Sequence, residues 1–351
     1  MNSSSDPISR HSSSHARQAG DSACYSKRQF LASLLAAAAC VGMPAPTQAQ
    51  TYPAKTVKII VPYAPGGGID VIARVLADQL QRKWGQPVIV ENRTGASTII
   101  GTAAVAKATA DGHTLLLTSE ASITSNPFLF NKLPYDPLRD LAPITQLLSL
   151  PQMVVAHPAI AARNLAELVA LAKSRPRSLN YASYGSGSLP HLLFEGLNIR
   201  SGIDLVQIQY KGITPAVMAI LANEVQLTMA GVAAAQAHIS AGNLKPLAVA
   251  GNARLPQFPE VPTLREAGFA EIDPRESWFG LFAPSATPGN VLEKIQRDVA
   301  EIGAGQEFVK THLNARGFTP IFSTPAAFGK FIREDSEHKS QLIRLTGAKA
   351  D

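Results

Sequence analysis

Two short stretches of this 351-residue chain carry residue types that can hold an anion without help from a cation. The first, Tyr63-Ala64-Pro65-Gly66-Gly67-Gly68, follows the apolar run Val57–Val61 and leads into a helical stripe at Asp70. The second, Ser183-Tyr184-Gly185-Ser186-Gly187-Ser188, follows Leu179-Asn180-Tyr181-Ala182 and leads into a helix at His191. The first turn of a helix has N–H groups without intrahelical partners, and the macrodipole puts partial positive charge there. Glycine removes the Cβ that would keep a ligand off the backbone. A carboxylate or phosphate can then be held by N–H donors alone, with the hydroxyls of Ser183, Ser186 and Ser188 as further donors. Asp70 belongs to the first site as a helix cap, since a carboxylate facing an anion would repel it. No Gly-Lys-Ser/Thr follows the glycines at 66–68, and Val71 stands where a dinucleotide fingerprint needs glycine.

Signals for catalysis are weak. His191-Leu192-Leu193-Phe194-Glu195 has the wrong order and spacing for a zinc protease helix, and Gly185-Ser186-Gly187-Ser188 has glycine where a nucleophile elbow needs serine. His157, His238, His312 and His338 are isolated, and Asp335 and Glu337 lie in a charged, solvated late helix. The reading is a binding protein with no metal, cofactor or catalytic residue. The alternative is a hydrolase or isomerase using Ser186 or Ser188.

The elements behind these loops alternate. Strands are expected at 57–61, 88–90, 115–117, 153–155, 179–182, 206–208, 225–229, 247–249 and 278–282. Helices are expected over Ile72 to Trp84, Gly101 to Ala108, Leu165 to Lys173, His191 to Arg200, Thr214 to Ala222, Val291 to Ile302 and Ala326 to Leu342. Alternation of this kind predicts an α/β fold with mostly parallel sheets flanked by helices. One glycine loop falls in each half, so two lobes facing a shared cleft are expected.

The N-terminus reads as a signal peptide over residues 1–49. Lys27-Arg28 precede an apolar run from Phe30 to Met43, then Thr47-Gln48-Ala49 as a small-x-small cleavage site. The run is shorter than the roughly 20 residues of a spanning helix. Cleavage would remove Cys24 and Cys40, and with them any disulfide or thiolate chemistry. A lipid anchor at Cys40, preceded by Ala38-Ala39, is the competing reading. The net charge is +6, but the basic residues are scattered without interleaved aromatics, which argues against nucleic acid. Export to the periplasm and a monomer are expected.

Many short segments, in order, carry a resemblance. They include Pro62-Tyr63-Ala64-Pro65-Gly66-Gly67 with Asp70, Gly85-Gln86-Pro87-Val88-Ile89-Val90-Glu91-Asn92-Arg93, Ala110-Asp111-Gly112-His113-Thr114-Leu115, Tyr210-Lys211-Gly212, Val261-Pro262-Thr263 and Ser277-Trp278-Phe279-Gly280-Leu281. With them the chain resembles the Bug family, the extracytoplasmic receptors of tripartite tricarboxylate transporters. The resemblance implies a two-lobe periplasmic binding protein fold of the Venus-flytrap, type II-like kind, closing on its ligand by a hinge. It divides the chain into 50–155 plus 272–351 for the first lobe and 156–271 for the second. It implies a small organic carboxylate (a di- or tricarboxylate, an amino acid or an aromatic acid) gripped by Tyr63, Ala64, Pro65, Gly66 and Gly67 and by Ser183 to Ser188, partly through water. His191 accompanies the second loop. Membrane transporter subunits, or a sensor kinase, are the implied partners.

Departures from the family bear on the ligand. Met229-Ala230-Gly231-Val232 stands where polar residues are common, placing Ala230 in the cleft. After the third strand, Ser119 and Glu120 enter the site, and Glu120 is unusually acidic. If Glu120 faces the cleft, the ligand carries an amine or other donor at its far end; the alternative is a solvent-facing or capping residue. Ile213 shapes the pocket or the core, Lys211 draws anions in or, as is commoner, faces solvent, and Trp278 lies at the hinge or in the core.

Overall fold

The computed structural model of the chain describes residues 52–210 and 212–350. The export segment with Cys24, Cys40 and the Ala49 cleavage site, and Lys211, lie outside these residues.

Side-chain alternation builds the first sheet. In β1 (Val57–Val61), Val57, Ile59 and Val61 join one buried cluster while Ile60 joins another on the opposite face. In β3 (Thr114–Ser119), Leu115 and Leu117 go to the first cluster and Leu116 to the second. Both faces are therefore covered, which is why these strands read as unbroken apolar runs. The Gly68–Trp84 helix covers one face with Ile72, Leu76 and Leu80 and stops at Gly85, whose left-handed φ of 65° suits glycine. The sheet order is β11 (Thr319–Pro320), β4 (Leu141–Leu150), β10 (Ser277–Pro284), β3, β1, β2 (Val88–Asn92).

The second sheet runs β7 (Val206–Gln209), β6 (Asn180–Ser183), β8 (Leu227–Gly231), β5 (Gln152–Ala156), β9 (Lys245–Ala250). Val154 and Ala156 face one core and Met153 and Val155 the other. The fold is α/β with two lobes, each a sheet flanked by helices.

Two expectations need correction. The sheets are mixed rather than mostly parallel: β10 runs antiparallel to both β3 and β4, and β5 runs antiparallel to both β8 and β9. A strand that returns from a distant part of the chain is invisible to a pattern of neighbouring strands and helices. The boundary at 155 is also too late. β4 ends at Leu150 in the first sheet and β5 starts at Gln152 in the second, so the chain changes sheet at Pro151.

β4 itself has no counterpart among the expected strands. Pro143 argues against a central strand, yet it sits beside a register shift opposite Phe282, where the ladder can spare its missing N–H. The Val232–Ser240 helix was also unexpected, because its alanine-rich sequence has no apolar stripe.

The final helix, Pro325–Thr346, ties both lobes together. Phe328 and Ile332 pack with Trp278 against the first sheet, while Leu342, Ile343 and the following Ala348 sit in a core of the second. Between them runs a buried polar seam. Asp335 Oδ2 accepts from Thr124 Oγ1 (2.7 Å) and Trp278 Nε1 (3.1 Å). His338 Nε2 donates to the Asp273 carbonyl at 2.6 Å, and the Lys339 ammonium donates to the Pro274 carbonyl.

Candidate functional site

The first glycine loop leaves β1 and ends where Gly67, in an extended conformation, caps the Gly68–Trp84 helix without using a side chain. Ala64, Pro65, Gly66 and Gly67 are exposed and Tyr63 is half-buried. Gly66 has φ +85°, a left-handed conformation that favours glycine, and its N–H donates to Asp70 Oδ2 at 2.9 Å. Asp70 also accepts from Arg74 Nε at 3.0 Å and from Asn92 Nδ2 at 2.8 Å. The same Asn92 amide donates to the Tyr63 carbonyl at 3.0 Å. Burial would raise the Asp70 carboxyl, but these donors outweigh it and hold the group below the usual carboxylate range. Asp70 is 2 % exposed and its oxygens face the loop backbone, so it acts by bracing the loop. Asn92 was missed as a functional residue; it pairs with Val61 across β1 and β2, so strand register delivers it to the loop.

The second loop repeats this plan. Ser188 caps the Leu189–Ser201 helix in an extended conformation, again without a side-chain bond to the helix. Gly187 has φ +75°, and its N–H donates to His191 Nδ1 at 3.0 Å. Asp70 and His191 thus occupy the same position, third in their helices, and each accepts from the glycine just ahead of the cap. An accepting Nδ1 requires a neutral ring, and burial lowers the His191 pKa in the same direction. Ser188 Oγ donates to the Gly185 carbonyl at 2.6 Å, and Ser183 Oγ accepts from Gln207 Nε2 at 2.6 Å. Ser186 is exposed, while Tyr184 and Gly185 are partly buried. Gln207 escaped the sequence reading because it comes from β7, paired beside β6.

Ser119 ends β3, next to β1, and Glu120 follows it. Ser119 Oγ lies 2.7 Å from the Tyr63 hydroxyl. Glu120 is 8 % exposed rather than solvent-facing, and it stands at the N-cap position of the π-helix Ala121–Ser125 without a side-chain bond to that helix. Its Oε2 accepts from Ser277 Oγ at 2.7 Å and from the Trp278 N–H at 3.3 Å. Burial raises its pKa, against the opposing charge of Lys339. The phenols of Tyr63 and Tyr184 are both raised, first by burial and then by the charge of Glu120. Gly187 also abuts Leu129, whose side chain occupies the space a Cβ would need.

Two candidates change role. The Trp278 ring is wholly buried among Phe282, Phe328 and Phe331, so only its backbone N–H reaches the site, through Glu120. Ala230 is also wholly buried, and its methyl packs in the core with Met153 and Ala182. The next residue, Gly231, caps the Val232–Ser240 helix at that end of β8. Among the described residues no cluster of His, Cys, Asp and Glu could hold a metal ion, and no helix is long and apolar enough to cross a membrane.

The chain matches the family described as the tripartite tricarboxylate transporter family receptor over residues 72–348. It is 38 % identical over 312 residues to protein BugT of Bordetella pertussis, covering 89 % of this chain and 95 % of that protein. A protein of R. palustris solved with adipate is 27 % identical with a TM-score of 0.75, covering 85 % of this chain and 99 % of that one. MatC from Rhodopseudomonas palustris with bound malate is 28 % identical with a TM-score of 0.72, covering 83 % of this chain and 100 % of that one. This chain belongs to the tripartite tricarboxylate transporter receptor family, among the Bug proteins.

Proposed function

We propose that the protein is a periplasmic receptor that binds a small organic carboxylate between its lobes and, once closed, docks on membrane transporter subunits. Residues 52–150 with 277–320 supply the first lobe and 152–250 the second, and the last helix joins them. The observation that carries this reading is the pair of glycine loops, one per lobe. Each is braced from the third residue of its helix by a bond to the glycine ahead of the cap. Neither loop contains lysine or arginine. The anion is therefore held by helix-opening N–H groups and hydroxyls, as the physics of helix termini allows. The relatives solved with adipate and with malate support the same ligand class.

Binding is reversible and shifts the lobes toward the closed state by the ligand's greater affinity for it. No catalytic step is part of the proposal. The Ser188 hydroxyl is donated to a carbonyl and the His191 Nδ1 takes a backbone N–H, so neither is arranged as nucleophile or base.

Gly67→Leu tests the assignment. A Cβ at Gly67 meets only the Ala64 carbonyl, at 3.7 Å, so the fold tolerates a side chain there while the ligand's approach is blocked. In a thermal-shift and calorimetric screen of mono-, di- and tricarboxylates, the native protein should gain Tm with at least one of them. Gly67→Leu should keep its ligand-free Tm and lose that gain. Equal affinity in both proteins would place the ligand elsewhere.

A further inference from the structure

We infer that the last helix is a splint on the hinge: through His338 and Lys339 it holds the return crossing between the lobes in a strained turn at Arg275, and so sets the angle at which the lobes rest. The two places where the chain passes between its sheets lie side by side. On the first-lobe side Leu150 pairs with Ser277, and on the second-lobe side Gln152 pairs with Ala250. One crossing is Pro151 alone, whose ring fixes φ. The other is Asp273-Pro274-Arg275-Glu276, which enters β10 at Ser277, and Pro274 is fixed in the same way. Rotation of one lobe against the other falls on the few backbone angles left free here. Among them, Arg275 has φ +61°, a left-handed conformation that favours glycine or asparagine.

The turn is gripped from both sides. Asp273 Oδ1 accepts from the Arg275 N–H at 2.8 Å, and its Oδ2 accepts at 3.1 Å from the N–H of Gly251, which follows β9. That carboxylate ties the turn to the second lobe. The carbonyls of Asp273 and Pro274 face the last helix, where His338 Nε2 and the Lys339 ammonium donate to them. Lys339 is wholly buried, so water does not replace its bond. One turn earlier, Asp335 holds Thr124 and Trp278 of the first lobe. His338 and Lys339 lie between Ile332, packed in the first lobe, and Leu342, packed in the second, so the middle of the helix is the fulcrum. A left-handed arginine persists only where its surroundings over-determine it. Without the two side-chain bonds, Arg275 relaxes and carries the lobes to a different mean angle. Neither side chain belongs to a glycine loop, so both act on binding only through that angle.

The test measures the distance between spin labels on Asp78→Cys and Lys173→Cys, exposed residues of the Gly68–Trp84 and Leu165–Ser174 helices, in the full chain with Cys24→Ser and Cys40→Ser. Without ligand, His338→Leu and Lys339→Met should each shift and broaden the distance distribution, their Tm reporting that they fold. His338→Gln keeps a donor for the Asp273 carbonyl and should stay native. Arg275→Gly takes the left-handed conformation without steric cost and keeps its N–H. It should narrow the native distribution and, added to His338→Leu, draw that variant back. The ligand arm rests on the receptor reading above, with adipate, malate and glutamate titrated calorimetrically. Each probe that binds the native protein should change affinity in His338→Leu by one common factor of about two to thirty, the size of coupling changes at residues remote from a ligand. Native distributions in folded His338→Leu and Lys339→Met overturn the splint, and so does a factor that differs between probes. If neither variant folds, Arg275→Gly decides alone, and an unchanged distribution overturns the splint. If no carboxylate binds or moves the distances, the receptor reading fails, while the ligand-free distances still decide the splint.

Discussion

The two glycine loops are built on one plan with different chemistry at the brace. In the first, the third helical residue is Asp70, ionised, tied to Arg74 and Asn92 as well as to the Gly66 N–H. In the second it is His191, neutral, with the Gly187 N–H on its Nδ1. The glycines differ too. A Cβ on Gly66 would meet nothing within 4 Å, while one on Gly187 would run into Leu129. The first loop is thus a socket fixed from its own lobe, and its brace is insensitive to pH in the physiological range. The second is fitted against a residue outside its own sheet, and its brace depends on the protonation of one imidazole. Identical backbone geometry can be held either by charge and multiple partners or by packing and one neutral acceptor.

Substitutions at the matched glycines should break the symmetry most. Gly187→Ala combines a left-handed φ with a collision, and we expect a loss of about 3 kcal/mol with loss of ligand binding. Gly66→Ala carries only the conformational cost, about 1 kcal/mol. Urea denaturation of the two variants checks the difference; equal losses would show that Leu129 yields without cost.

Removing the first brace should come next. Asp70→Ala leaves the Gly66 N–H without its acceptor and the Asn92 amide with only the Tyr63 carbonyl, for a loss of about 2 kcal/mol in the same denaturation experiment. Arg74 is half-exposed and can return to water, so its release adds little.

The smallest effect concerns pH. The folded-state pKa of His191 lies below its ordinary value, so the native state binds this proton less readily than the unfolded chain. The stability it contributes is present above pH of about 6.5 and is lost as pH falls through the depressed value. Native Tm and ligand affinity should therefore decline over that window. His191→Asn offers a carbonyl that does not titrate, and its profile should be flatter there. A native profile no steeper than that of the variant would mean the imidazole does not brace the loop.

Much of this site was legible because it is local. Glycine ahead of a helix start is a statement about neighbouring residues, and both loops are found where the residues alone put them. What escaped depends on partners far away in sequence. Asn92 and Gln207 reach the loops only through strand register. Glu120 takes its hydrogen bond from Ser277, a residue on a strand that returns after the second lobe is complete. Ala230 was placed in the cleft, and Trp278 was left between hinge and core, for a related reason. A strand residue has two faces to choose from, and only the sheet's neighbours decide which one is core. The same dependence hid β4 and the antiparallel pairings of β10.

The helix Pro325–Thr346 has a consequence for how the molecule is made. Leu342 and Ile343 fill a core whose other walls come from residues such as Val154 and Leu168. That hydrophobic interior stays unsealed until the chain has emerged nearly to residue 343. Contacts of such long sequence separation form late and slow folding.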